Sequence, residues 1–203
     1  ATDNEARRRV KSVYDLMRNE LLAGQYLDLV EQVRADSDVQ RARTVMKYKT
    51  SKYTMERPLH IGAALAGANP SLDATYTAYG LALGEAFQLR DDVLGVFGSA
   101  EETGKPSGDD LREGKRTVLV ARTLESATSE DAQRFADLLG SPAMTDAELH
   151  WMQELIVDTG ALDEVESNIA QQTQMALAAA ADVPESAGSL LGVLALAATS
   201  RSA

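Results

Sequence analysis

Apolar residues return at steps of three and four along nearly the whole chain, the period of an α-helix with one buried face, and no stretch alternates for long enough to read as a strand. Thr2-Asp3-Asn4-Glu5 offers an N-cap for a first helix reaching about Val33. Asp36-Ser37-Asp38 starts a second, running to about Ala66, with Pro58 expected to kink or break it. After Asn69-Pro70-Ser71 a third long helix spans about Leu72 to Phe97, followed by a glycine-rich loop from Gly98 to Gly114. Shorter helices are predicted at roughly 117–126, 130–140, 145–158, 161–181 and 186–199. No internal repeat or low-complexity linker interrupts this series. The pattern predicts a single all-α domain over 1–203, a helical bundle of long antiparallel helices with shorter helices at the C-terminal end.

Composition supports helix over sheet, because only 5 % of the 203 residues are aromatic while Ala, Leu, Glu and Gln recur. The absence of cysteine excludes disulfides and thiolate zinc sites, and fits a reducing cytoplasm, where the chain is expected to reside. A formal net charge of −11 with no basic stripe argues against nucleic acid and favours divalent cations. The longest apolar run, Leu190–Ala198, is too short to cross a bilayer, which takes about 20 residues, and no signal peptide is visible.

Four places break the helical pattern in ways that suggest chemistry. Asp91 and Asp92 stand side by side in mid-helix between apolar residues, where aspartate is a poor helix former and two carboxylates repel. A divalent cation would compensate, and oxygen ligands suit Mg²⁺; a solvated acidic patch is the equal alternative. Gly80, Gly84, Gln88, Asp91 or Asp92, and Gly95 share one face, leaving room for a ligand or for a close helix. In the loop that follows, Lys105 and Lys115 could reach phosphate oxygens, and Asp109 or Asp110 could hold metal-bound water; an exposed mixed-charge loop explains the same residues. Lys49 lies on a partly apolar stripe between Val45 and Tyr53, so it either snorkels to water or points into a cavity. Asp28 falls where the stripe Val10, Val13, Met17, Leu21, Gly24 predicts a core residue, which calls for a partner, a metal, or an early helix end.

Taken together, Gly24-Gln25-x-x-Asp28-Leu29, Tyr48-Lys49-Thr50, Phe87-Gln88-x-x-Asp91-Asp92, Thr103-Gly104-Lys105-Pro106 and Asp110 with Lys115 resemble, in order and spacing, the trans-prenyltransferase (polyprenyl synthetase) family. Glu56-Arg57-Pro58-Leu59-His60 followed by Gly62-Ala63-Ala64-Leu65-Ala66-Gly67 looks like its short-chain bacterial members, the geranylgeranyl diphosphate synthases. The resemblance implies the isoprenoid synthase type of helical bundle. It also implies Mg²⁺-dependent head-to-tail condensation of an allylic diphosphate with isopentenyl diphosphate, and a homodimer. On the matching positions it places metal ligation on Asp91, with Asp92, Asp110 and Asp28 in support. Lys49, Lys105 and Lys115 would bind diphosphate, Thr50 and Gln88 would line the reacting carbons, and Arg201 would reach isopentenyl diphosphate. The family's second aspartate-rich motif is DDxxD, and its last position here is Gly95. Its first aspartate-rich motif has no counterpart between residues 1 and 203. The chain is therefore read as the C-terminal part of such an enzyme, expected to be catalytically silent by itself. A terpene cyclase is disfavoured by the lack of an Asn/Ser/Glu metal motif. A non-catalytic partner subunit is the competing reading.

Overall fold

The computed structural model describes residues 3–34, 36–104 and 106–200, and among them every regular element is helical. The long helices fall where the apolar spacing puts them: α1 (Asp3–Gln32), α2 (Val39–Met46), α3 (Arg57–Ala66) and α4 (Ser71–Phe97). The stretch from Gly98 to Gly114 is not a plain loop, since it holds two single-turn helices, α5 (Ala100–Thr103) and α6 (Asp109–Arg112). The remainder comprises α7 (Val118–Ser126), α8 (Ser129–Leu138), α9 (Asp146–Asp158), α10 (Ala161–Ala181) and α11 (Glu185–Thr199). No described helix is long and apolar enough to cross a membrane.

Helix starts carry their own signals. Asp38 accepts the Arg41 amide at 2.7 Å ahead of α2, and Thr117 and Thr128 cap α7 and α8. Thr145 and Glu148 form a reciprocal capping box on α9.

The expected break at Pro58 takes another form. Residues Lys47–Glu56 wind as a ten-residue π-helix between α2 and α3. In α geometry the Pro58 ring would press on the carbonyl of Thr54. Here the Arg57 amide reaches back five residues to Lys52, and Pro58 stands in the first turn of α3, where no N–H is needed.

Two compact units are discernible. The first comprises α1 through Asp28, Thr44–Gln88 and Ile169–Ser200. Its core joins Tyr79, Ala82 and Leu83 of α4 to Ala176 and Ala180 of α10 and Leu191 and Ala195 of α11. The Tyr79 hydroxyl donates to the Leu191 carbonyl at 2.8 Å, and burial pushes its pKa up to about 12. Close packing depends on glycine: a Cβ at Gly24 would lie 2.6 Å from the Lys49 nitrogen, and one at Gly80 2.5 Å from the Glu56 Cα. At Gly84 it would fall on Ser51. These glycines make room for the wide π-helical segment against α1 and α4, so the glycine face foreseen along α4 serves, at Gly80 and Gly84, as a close helix contact.

The second unit comprises Leu29–Arg43 and Leu89–Asn168. Val93, Val96, Leu111, Val118, Leu119, Phe135, Met152, Ile156 and Val165 are buried in it. Arg90 on α4 holds Glu166 of α10 through a fork at 2.6 and 2.7 Å. His150 meets Glu154 at 3.3 Å on the same helix face, and Trp151 is half-buried under the Arg134 guanidinium, 3.9 Å from the ring centre.

Candidate functional site

Within the first unit, four of the singled-out side chains pair off. Lys49 Nζ lies 2.6 Å from Asp28 Oδ2, and the Thr50 hydroxyl donates to Gln88 Oε1 at 2.7 Å. Helix α1 continues past Asp28, so the carboxylate is held on a helix and matched to a cation, not left at a frayed end. Lys49 has a side-chain exposure of 39 % and Asp28 of 23 %, which leaves both open to an incoming ligand. The π-helical segment presents Lys49 and Thr50; α1 and α4 present their partners.

Within the second unit, the adjacent aspartates divide. Asp91 is exposed and Asp92 buried, because consecutive helix positions point in different directions. One turn after Asp91 comes Gly95, and the space its side chain would fill is taken by the Asp110 carboxylate, delivered by α6. Gly108 makes this possible from below, capping α6 with φ 76°, a left-handed conformation that suits glycine. Asp110 bonds Lys115. Burial pushes the Asp110 carboxyl up against the pull of Lys115, and nearby Asp91 and Glu113 add to the rise. Burial works against the Lys115 charge, but Asp110 and Glu113 more than offset it and its pKa is raised. Asp109, Asp110 and Glu113 bring carboxylate oxygens within 4.8 Å of one another, a donor set of oxygens alone, the kind Mg²⁺ takes. Loop and helix are tied together at Val96, whose carbonyl accepts from Gln153 at 2.7 Å and from Ser107 at 3.3 Å. Lys105 and Arg201 lie outside the described residues.

The sequence profile of the family described as "Polyprenyl synthetase" matches residues 3–156. The chain belongs to that family. A geranylfarnesyl diphosphate synthase of Aeropyrum pernix is 38 % identical over 144 residues, 71 % of this chain and 44 % of the relative. A geranylgeranyl diphosphate synthase of Saccharolobus solfataricus is 34 % identical over 133 residues, 66 % of this chain and 40 % of that one. Among solved structures, geranylgeranyl pyrophosphate synthase from Corynebacterium glutamicum, complexed with isoprenyl diphosphate and magnesium, superposes with a TM-score of 0.92 at 42 % identity. That match covers 98 % of this chain and 57 % of the other. The polyprenyl synthetase chain thus spans less than half the length of these two curated relatives. Its all-α architecture is the one expected from the family resemblance.

One polar network in the family chain had not been foreseen from sequence, although Glu56, Arg57 and His60 stand in a string quoted for the family resemblance. Glu20, Lys52, Glu56, Arg57, His60 and Thr77 form a network inside the first unit, through contacts between 2.7 and 3.2 Å. Besides that string, its signal was the spacing Lys52, Glu56, His60, four residues apart on a predicted helix. Burial draws the Glu20 carboxyl up, but Arg57 and Lys52 hold it below the ordinary carboxylate range. A depressed carboxyl stabilises the fold above its unfolded pKa, and that contribution is lost as pH falls through the folded value. Glu20→Gln should therefore flatten the loss of Tm as pH falls below the ordinary carboxylate value of about 4.5. Parallel Tm–pH curves for parent and variant would show that the network carries none of the acid sensitivity.

Proposed function

We propose that the chain works in a Mg²⁺-dependent prenyltransferase that condenses an allylic diphosphate with isopentenyl diphosphate, head to tail, to give a longer polyprenyl diphosphate of the geranylgeranyl type. The Asp110 carboxylate seated in the Gly95 notch beside Asp91 carries this reading, because it supplies an acid where this chain has Gly95 in place of the last aspartate of the family pattern. Asp91 and Asp110 would hold the metal, with Asp92 and Asp28 in support. The metal, when bound, neutralises charge on the diphosphate as the allylic bond ionises.

The chain's own residues do the rest. Lys49, Lys105 and Lys115 offer ammonium groups to the departing diphosphate, which stabilises charge that grows in the transition state. Thr50 and Gln88 present oxygens toward the reacting carbons and steady the allylic cation; their mutual hydrogen bond fixes the Gln88 amide. Arg201 is assigned to isopentenyl diphosphate. Homodimer formation and a cytoplasmic setting belong to the same proposal.

Isothermal titration of an allylic diphosphate with and without Mg²⁺ tests it: binding that requires the metal is expected, and metal-independent binding or none overturns the reading. A partner-subunit role would predict no such binding, although the paired Lys49 and Thr50 favour a working site. In the same assay Lys49→Ala should weaken affinity roughly tenfold to over a hundredfold, the loss of a charge-assisted contact of about 1.5–3 kcal/mol. A change well below tenfold would return Lys49 to the role of surface partner for Asp28.

A further inference from the structure

The buried network of the first unit encloses the end of the π-helical segment. Glu56 has a side-chain exposure of 3 %, yet its carboxylate is fully engaged. Lys52 Nζ lies 3.2 Å away, the Thr77 hydroxyl donates at 3.0 Å, and Arg57 approaches to 3.8 Å. Glu20 on α1 takes the Arg57 fork at 2.7 and 2.8 Å and Lys52 at 2.8 Å. Arg57 can only donate, so His60 Nδ1 accepts at 3.0 Å, and Nε2–H turns to the Asp73 carbonyl at 3.1 Å and Thr77 at 3.2 Å. The two carboxylates, Glu20 and Glu56, balance the two cations, Lys52 and Arg57.

Such a tetrad is a poor source of stability. Desolvating the charges consumes most of their attraction, and apolar replacements are often neutral or stabilising. Fixing a register is the better-attested use. Here a register needs fixing: π-helices are rare and short elsewhere, whereas this one runs for ten residues. Rewinding it with four-residue bonds would turn Lys49 and Thr50 progressively around the axis relative to α3. Gly24, Gly80 and Gly84 give the wide segment room but do not choose its angle.

We propose that Glu56 is a positioning residue for Lys49 and Thr50, its carboxylate locking the π-helical register in which Lys49 meets Asp28 and Thr50 meets Gln88. The inference rests on the function proposed above and assigns that function's ligand-facing geometry to a residue remote from the ligand.

Stability and positioning separate experimentally. Glu56→Gln removes one of the two carboxylates that hold Lys52 and should lower both Tm and the affinity for Mg²⁺ with inorganic diphosphate. The double variant Lys52→Met/Glu56→Gln removes one ion pair whole and leaves Glu20 balanced by Arg57. Its Tm should return toward the parent's, while affinity stays at least about tenfold weaker, the low end for losing a charge-assisted contact. The NMR side-chain amide signals of Gln88, whose oxygen takes the Thr50 hydroxyl, should stay displaced in both variants. Affinity and amide signals that recover together with Tm would overturn the proposal. If the parent chain shows no Mg²⁺-diphosphate binding, the proposed function fails, and the amide signals alone judge the register: unmoved signals overturn it. Should either variant not fold, Thr77→Val keeps every charge, removes one bond to Glu56, and must still displace the Gln88 signals.

Discussion

Asp91→Ala is expected to leave helix content and Tm close to the parent's and to weaken Mg²⁺-dependent diphosphate binding on the order of a hundredfold or more. Asp91 is exposed on α4, so its removal opens no cavity and breaks no packing. On the proposed reading Asp91 offers the metal a charged oxygen that its neighbours do not replace: Asp92, next in sequence, is buried, and Asp110, bonded to Lys115, already serves as the other ligand. Losing even an outer partner of a metal ligand typically costs 10–100-fold in affinity, roughly a floor for losing the ligand itself. Calorimetry at fixed Mg²⁺ reads the change directly. Unaltered affinity would move the metal away from α4 altogether.

Gly95→Asp, which restores the family's DDxxD pattern, is expected to harm the chain. The new side chain would occupy the space that holds the Asp110 carboxylate, and two like charges would compete for one notch. Displacing Asp110 also separates it from Lys115. Gly95→Ala isolates the steric part. Replacing a mid-helix glycine by alanine favours the helix by about 1 kcal/mol. Overpacking a filled site costs about 1–3 kcal/mol, so the net should be a small loss. For Gly95→Asp a lower urea midpoint and weaker Mg²⁺-dependent binding are both expected. Tighter binding by that variant would mean that Asp110 is not tied to its notch.

The contrast between these two positions shows what was legible from residues alone. The helices were, because a three-to-four residue period summed over ten or more positions outweighs local exceptions; α4 and α10 fall within a residue of their expected spans. Lys49, Thr50, Gln88 and Asp28 were recognisable as a set from the ordered motifs, and the structure pairs Lys49 with Asp28 and Thr50 with Gln88. The π-helical winding was not, since its apolar positions also satisfy an α period and Pro58 reads simply as a breaker. Nor was the meeting of Gly95 with Asp110, because a glycine says that a side chain is excluded without saying what excludes it. The Glu20–Arg57 fork joins residues 37 positions apart and leaves no trace in any local pattern.

The π-helical segment also has a consequence for the order in which the chain folds. An α-helix can nucleate from its own sequence, but a π-helix closes wider rings for the same number of bonds and gains nothing until neighbours surround it. The neighbours of Lys47–Glu56 are α1, which ends before it, and α4, which follows it, so both must already be close by for the wide turns to form. A peptide of residues 39–66 alone should show coil or ordinary α-helix with no lasting π turn. In the whole chain, Ser51→Ala and Thr77→Val should speed unfolding while leaving the folding rate nearly unchanged, the signature of contacts made after the transition state.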